Sequence, residues 1–164
     1  MILRRTFLAL LVMGLSLAWS PTSHASHYPL DSLTFLTEAE ISALKKIPVR
    51  GTKDGGIALA NPKQRKGVAN KIGLPEERLS ELASLFDLMR VQGAGPKMAR
   101  LFRIAEVTSC VSLAKEDPVA LLDKLRAANY SHNIASKLPD AQILTNWIKQ
   151  ASALPPQYII GKSP

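Results

Sequence analysis

The residues best suited to chemistry lie in a short segment, 93–103, at the junction of two apolar stretches. Gly93 and Gly95 flank one small residue, and glycine reaches backbone angles that are closed to other residues. Pro96 follows at the head of a helix, where its missing N–H costs no hydrogen bond. The amides of such a turn and of the helix N-terminus can point outward together. The segment therefore predicts a site for an anion such as a phosphate.

The helix that begins at this turn has a basic side and an apolar side. At 100° per residue, Lys97, Arg100 and Arg103 drift along one side. The other side carries Met98, Leu101, Phe102 and Ala105. We expect the apolar side to pack and the basic side to extend the contact that starts at the turn.

The sequence GAGPKMA, residues 93–99, resembles the helix-hairpin-helix motif of non-sequence-specific DNA-binding proteins. The pattern of that motif is Gly, apolar, Gly, Pro, basic, any, Ala. In that family the hairpin amides and a basic side chain grip one DNA phosphate, which implies this role for Gly93, Gly95 and Lys97. Arg100 would lie close by. Ala94 departs from the pattern, because a larger aliphatic residue usually anchors the hairpin at that position.

A wider resemblance covers residues 36 to about 155 and is to an uncharacterised bacterial domain family of helix-hairpin-helix type, described only as a domain of unknown function. The matching pieces are residues 87–91, 113–114, 129, 138–139 and 147–151. The first half is similar to a degenerate hairpin unit around 47–52, where Gly55 and Gly56 replace the expected aliphatic pair. The resemblance implies the fold and leaves the function open, because one fold serves many functions.

The first 25 residues have the pattern of a secretory signal peptide. Arg4 and Arg5 precede an apolar run at 7–17, and Ser23 and Ala25 are small residues at the positions that a signal peptidase recognises. We expect cleavage after Ala25 and a periplasmic or secreted protein; an uncleaved anchor is the alternative. No later segment is long and apolar enough to span a membrane, so no stable span is expected after cleavage.

The remaining chain divides into an extended arm at 26–35, a helix-hairpin-helix-like domain at 36–155 and a tail at 156–164. Caps and apolar spacing predict an all-α fold, a compact bundle of five to seven short helices. Thr37 and Glu40 form a capping box, and Asn61 precedes a proline at the next helix start. The core face of the helix before the glycine turn is predicted to be Leu79, Leu82, Leu85, Phe86 and Met89.

Groups for catalysis or metal binding are sparse. His132 is the only histidine in the predicted folded region, and no carboxylate cluster accompanies it. Cys110 lies beside Val111 and is expected to be a small core residue rather than a nucleophile. The sequence therefore indicates a non-enzymatic protein without a catalytic residue, metal or cofactor.

The chain is basic, with 21 lysines and arginines against 13 aspartates and glutamates. This balance suits anionic partners, which include nucleic acid, lipid headgroups and acidic wall polymers. A second basic cluster precedes the hairpin and consists of Lys45, Lys46, Arg50, Lys53, Lys63, Arg65, Lys66 and Lys71. It either folds beside the 97–103 face and extends one basic surface along a phosphate backbone, or forms a solvated loop.

Two functions follow from these observations. The first is an exported binding module that contacts the nucleic-acid backbone, or another polyanion, without reading sequence. Its site residues would be Gly93, Gly95, Lys97, Arg100 and Arg103. The second is an envelope protein-interaction or scaffold module, in which the glycines only connect two helices and the partner is another protein.

Overall fold

The computed structural model describes residues 27–159, so the expected signal peptide at 1–25 lies outside the described residues. A 3₁₀ turn, Leu30–Ser32, precedes eight α-helices. They are α1 (Glu38–Leu44), α2 (Thr52–Ala58), α3 (Pro62–Ile72), α4 (Glu76–Leu88), α5 (Gly95–Ile104), α6 (Cys110–Leu113), α7 (Pro118–His132) and α8 (Ala141–Ala153). Residues 27–159 contain no β-strand beyond an isolated bridge between Pro29 and Gly51, which confirms the all-α prediction. The count of eight exceeds the upper end of the predicted five to seven by one.

The predicted helix starts are confirmed by their hydrogen bonds. The Thr37 hydroxyl accepts from the Glu40 N–H at 3.2 Å, and the Glu40 carboxylate accepts from the Thr37 N–H at 2.8 Å. Asn61 and Gln64 make the same reciprocal pair at the start of α3. These contacts satisfy amides that a helix N-terminus otherwise leaves unpaired. Local sequence therefore fixes where these helices begin.

Helix α2 forms although it contains two consecutive glycines. Gly55 faces the ring of Phe86 in α4, and a Cβ at this position would stand 2.7 Å from the Phe86 Cδ2 atom. Phe86 is 1% exposed. The glycine lets the two helices approach closely enough to bury that ring, so it contributes to packing although it weakens the helix.

Helix α4 is the centre of the fold and packs against α2, α3 and α5. The predicted core stripe is confirmed: Leu79, Leu82, Leu85, Phe86 and Met89 are all buried. Helix α7 packs against α5 and α8, and α8 also packs against α6. The second half of the chain thereby lies against the side of α5 that carries Met98, Leu101 and Phe102.

The segment expected to be an extended arm instead packs onto the domain. Leu30 and Leu33 are buried, and the 3₁₀ turn brings both to one side. Tyr28 donates its N–H to the Thr52 hydroxyl at 3.1 Å and accepts the Thr52 N–H at 2.9 Å. Burial of the two leucines and pairing with the start of α2 make this segment part of the folded unit.

The chain after α8 returns across α3. The Ile159 N–H donates to the Ala60 carbonyl at 2.9 Å, and the Tyr158 hydroxyl lies 3.0 Å from the Ser80 hydroxyl. The described part of the tail is thus attached to the domain. Among residues 27–159, none of the helices has the length and apolar character needed to cross a membrane.

Candidate nucleic-acid interface

The turn between α4 and α5 has the backbone that its glycines predict. Gly93 has φ +87° and Gly95 has φ +57°, both in the left-handed region. Between them Ala94 has φ −69° and ψ −37° and is 2% exposed. Side-chain-bearing residues rarely adopt left-handed angles, so the two glycines are a geometric requirement of this turn.

The amides of the two glycines remain open. Ala94 donates its N–H to the Val91 carbonyl at 3.2 Å, but within residues 27–159 the Gly93 and Gly95 N–H groups have no acceptor. Gly93 is exposed, and Gly95 is half-buried. Unpaired N–H groups at the N-terminus of a ten-residue helix favour an anion.

Helix α5 separates the predicted basic and apolar sides. Met98, Leu101 and Phe102 are buried, whereas Lys97 is exposed and Arg100 and Arg103 are half-buried. None of these three cations lies within 4 Å of a carboxylate in the described part of the chain. The cations of α5 therefore carry uncompensated charge on the side that begins at the open amides.

Helix α8 supports the turn from outside. The Gln92 N–H donates to the Gln150 Oε1 atom at 2.9 Å. One helical turn earlier, Trp147 lies against Gly93, and a Cβ on that glycine would stand 3.3 Å from the Trp147 Nε1 atom. Trp147 also packs edge-on against Phe102, with ring centroids 6.0 Å apart. These contacts hold the turn where the short Ala94 side chain gives little anchorage.

Sequence reasoning found the turn but missed this support. Gln92 and Gln150 are 58 residues apart, and no spacing rule connects them. From the sequence, Trp147 was identified as part of the segment 147–151 that resembles the wider family. The available signal was that Trp147 and Gln150 lie three residues apart and so share a face of α8.

The turn before α2, around 47–52, is covered by the segment before α1, which closes it at Thr52. The Tyr28 carbonyl accepts a hydrogen bond from the Thr52 N–H, and the Arg50 carbonyl accepts one from the Leu30 N–H at 3.1 Å. A Cβ on Gly51 would stand 2.6 Å from the Tyr28 carbonyl oxygen, so no side chain fits there. This first turn has no free N–H at Thr52 to offer an anion.

Two members of the second basic cluster are not free surface cations. Lys45 pairs with Asp31 at 2.7 Å, and Arg65 is 2% exposed. The remaining members, Lys46, Arg50, Lys53, Lys63, Lys66 and Lys71, are exposed on and between the first three helices. Helix α3 packs against α2 and α4, whereas α5 packs against α4 and α7. The cations of α3 and α5 are therefore carried by helices that do not form a packed pair.

Arg65 has a structural role that its position in a basic run conceals. Its guanidinium donates to the carbonyls of Leu59 at 2.9 Å and Ile159 at 3.0 Å, and lies 5.3 Å from the ring centroid of Tyr158. Its Nε atom is enclosed without a partner in the described residues. Arg65 thus joins α3 to the returning tail and is removed from any interface.

A polar contact at the end of α4 joins Cys110 to Asp87 and Arg90, to which the sequence assigned no role. Asp87 is 2% exposed and accepts from the Arg90 guanidinium at 2.7 Å and from the Cys110 N–H at 2.7 Å. Burial and the neighbouring Asp87 carboxylate raise the pKa of the Cys110 thiol far above its ordinary range. A buried thiol with a raised pKa is a weak nucleophile.

The comparison with known proteins agrees with the extent of the folded unit. Residues 36–154, which contain all eight α-helices, match a family whose description is domain of unknown function (DUF4332). No curated protein and no solved structure matches the chain. Because the match covers well over half of the 164 residues, the chain belongs to the family described as domain of unknown function DUF4332.

Proposed function

We propose that this protein is an exported, non-enzymatic module that binds the phosphate backbone of nucleic acid without reading its sequence. The proposed contacts are the amides of Gly93 and Gly95 and the side chains of Lys97, Arg100 and Arg103. In this proposal the α4–turn–α5 unit acts as a helix-hairpin-helix, and the closed turn at 47–52 contributes no phosphate site. A single open hairpin with three cations suits weak binding that depends on salt.

One observation carries this proposal: three unpaired cations follow, along one side of α5, from a turn with two open amides. Exposed cations without an ion pair also occur elsewhere in the described residues, as Lys66 and Lys71 do on α3, so the alignment with the two unpaired amides is what distinguishes the cations of α5. Phosphate contacts of this kind position a protein on the backbone and carry no sequence information.

The test is fluorescence anisotropy of the chain from residue 26 onward with labelled duplex and single-stranded DNA, across a salt series. Three phosphate contacts predict that log K falls with log salt with a slope of roughly −3 on duplex DNA. Different sequences of equal length should bind alike. Absence of binding at low salt would remove nucleic acid as the ligand.

Charge reversal locates the contact. Lys97→Glu with Arg100→Glu should abolish binding, because it removes two contacts and repels the backbone. The matched control is Lys66→Glu with Lys71→Glu on α3, which makes the same change in net charge at exposed positions. An equal loss in both double variants would mean that overall charge, not the hairpin, attracts DNA. Circular dichroism should show that both variants keep their helices.

The second candidate function is an envelope protein-interaction module. It is favoured by apolar side chains left exposed in the last two long helices: Val119 at 60%, Tyr130 at 94% and Ile143 at 41%. Aromatic and aliphatic residues exposed in this way are enriched at protein interfaces when they are contiguous. Substituting Tyr130 by Ser should leave DNA binding unchanged and should weaken capture of a protein partner.

A further inference from the structure

We propose that the indole N–H of Trp147 and the phenol O–H of Tyr28 contact the same phosphate as the hairpin amides. The site would then be completed by two side chains from outside the hairpin, one from α8 and one from the segment before α1. This inference rests on the proposed function and names ligand-contacting residues that neither the motif nor the charge pattern indicates.

The contacts of Trp147 support this site more strongly than those of Tyr28. The side chain is buried, with the residue 8% exposed, and its Nε1 atom is the indole atom nearest to the position of a Cβ on Gly93. The indole nitrogen has no acceptor among residues 27–159. The nitrogen is nevertheless partly accessible, in contrast to the Arg65 Nε atom, which is both enclosed and without a partner. A donor that is buried, unpaired and still open to the surface beside the turn points to a ligand.

Tyr28 lies beside the second glycine. Its hydroxyl oxygen would stand 3.5 Å from a Cβ on Gly95 and has no hydrogen-bond partner among residues 27–159. The backbone of Tyr28 is fixed by its two hydrogen bonds with Thr52. The segment that closes the first turn therefore places a free hydroxyl at the open turn.

The chemistry of this set is that of a phosphodiester site. Gly93 N–H, Gly95 N–H, the Trp147 indole and the Tyr28 hydroxyl are neutral donors, and Lys97 supplies one positive charge. No carboxylate in the described residues lies within 4 Å of the Lys97 ammonium. Several neutral donors with one cation suit the single negative charge and two free oxygens of a backbone phosphate.

The test is ¹⁵N NMR of the chain from residue 26 onward, in which Trp147 is the only tryptophan. We expect the Trp147 indole signal and the Gly93 and Gly95 amide signals to move together, with one Kd, on titration with a 12-base-pair duplex. An indole signal that stays fixed while the duplex binds would overturn this inference and leave the proposed function standing.

Inorganic phosphate, titrated separately, distinguishes an anion site from binding of nucleic acid. If the duplex does not bind but phosphate moves the three signals, the anion site is supported and nucleic acid is not its ligand. If neither probe moves them, both proposals are overturned. If the duplex alone moves them, the site requires a backbone phosphate, as proposed.

Tyr28→Phe removes only the hydroxyl and should weaken duplex binding about tenfold, the usual effect of losing one hydrogen bond to a charged group. Tyr130→Phe is the matched control, because it deletes a phenol hydroxyl from an exposed position on α7. Equal affinities in the two variants would remove Tyr28 from the site without affecting the case for Trp147.

Discussion

Alanine substitutions at three glycines test whether α8 holds the hairpin. Gly73, Gly93 and Gly95 all have positive φ, at +76°, +87° and +57°. Alanine pays a similar backbone penalty at each, roughly 1–2 kcal/mol. Their surroundings differ: a Cβ on Gly73 meets nothing within 4 Å, one on Gly95 meets Tyr28 at an ordinary 3.5 Å, and one on Gly93 meets Trp147 Nε1 at 3.3 Å.

The contact with Trp147 sets the difference in magnitude. The indole is packed against Phe102 and cannot move away freely, so displacing it costs a further ~1 kcal/mol or more. We expect Gly73→Ala and Gly95→Ala each to lower the free energy of unfolding by about 1–2 kcal/mol, and Gly93→Ala to lower it by about 2–3 kcal/mol. For a domain of this size each kcal/mol corresponds to a Tm shift of roughly 2–4 °C.

The assay is urea unfolding followed by far-UV circular dichroism, which does not depend on the Trp147 environment. The three variants should share one m-value, so the midpoints compare directly. If Gly93→Ala and Gly73→Ala lose the same stability, the turn does not rest on Trp147. Support of the hairpin by Trp147 of α8 would then be refuted.

Two other predictions concern local features. Gly67 lies inside α3 with nothing within 4 Å of a Cβ, so Gly67→Ala should raise the free energy of unfolding by about 0.5–1 kcal/mol in the same assay; a loss would mean that α3 is not an exposed helix at this point. Hydrogen bonding to Arg78 lowers the pKa of Glu40 below its ordinary 4.5, so its contribution to stability is present above that pH and disappears as the pH falls through the lower folded value. Glu40→Gln keeps the capping hydrogen bond but removes the charge, so it should reduce stability at pH 7. On acidification to pH 3 this variant should lose less stability than the parent protein. The control is Glu38→Gln at an exposed position, and the same pH dependence in both variants would contradict the role of Glu40.

Short-range sequence signals predicted a large part of the fold. The capping box of Thr37 and Glu40 and the Asn61 cap each depend on residues within four positions, so local backbone geometry decides them. The core stripe of α4 followed from helical spacing. The local conformation of the hairpin was predictable for the same reason, because Gly93 and Gly95 are required wherever the chain turns this way.

The predictions that were wrong concern residues whose contacts lie far away in the sequence. The segment at 27–35 lacks periodicity and was expected to be extended, but Leu30 and Leu33 find a core that only the assembled helices provide. Arg65 stands in a run of exposed cations and became a buried connector to Ile159, 94 residues away. A side chain's neighbours in the sequence do not indicate a partner at that separation.

The sequence by itself determined the helices, the glycine turn and the basic side of α5, because each depends on angles and spacings within one or two turns of chain. Only the tertiary structure decided that the turn before α2 is closed by Tyr28 while the turn before α5 is open, and that α8 brings Trp147 and Gln150 to the open one. These contacts depend on which surfaces, far apart in the sequence, are buried against each other. The free energy of that burial comes from the packing of all the helices together.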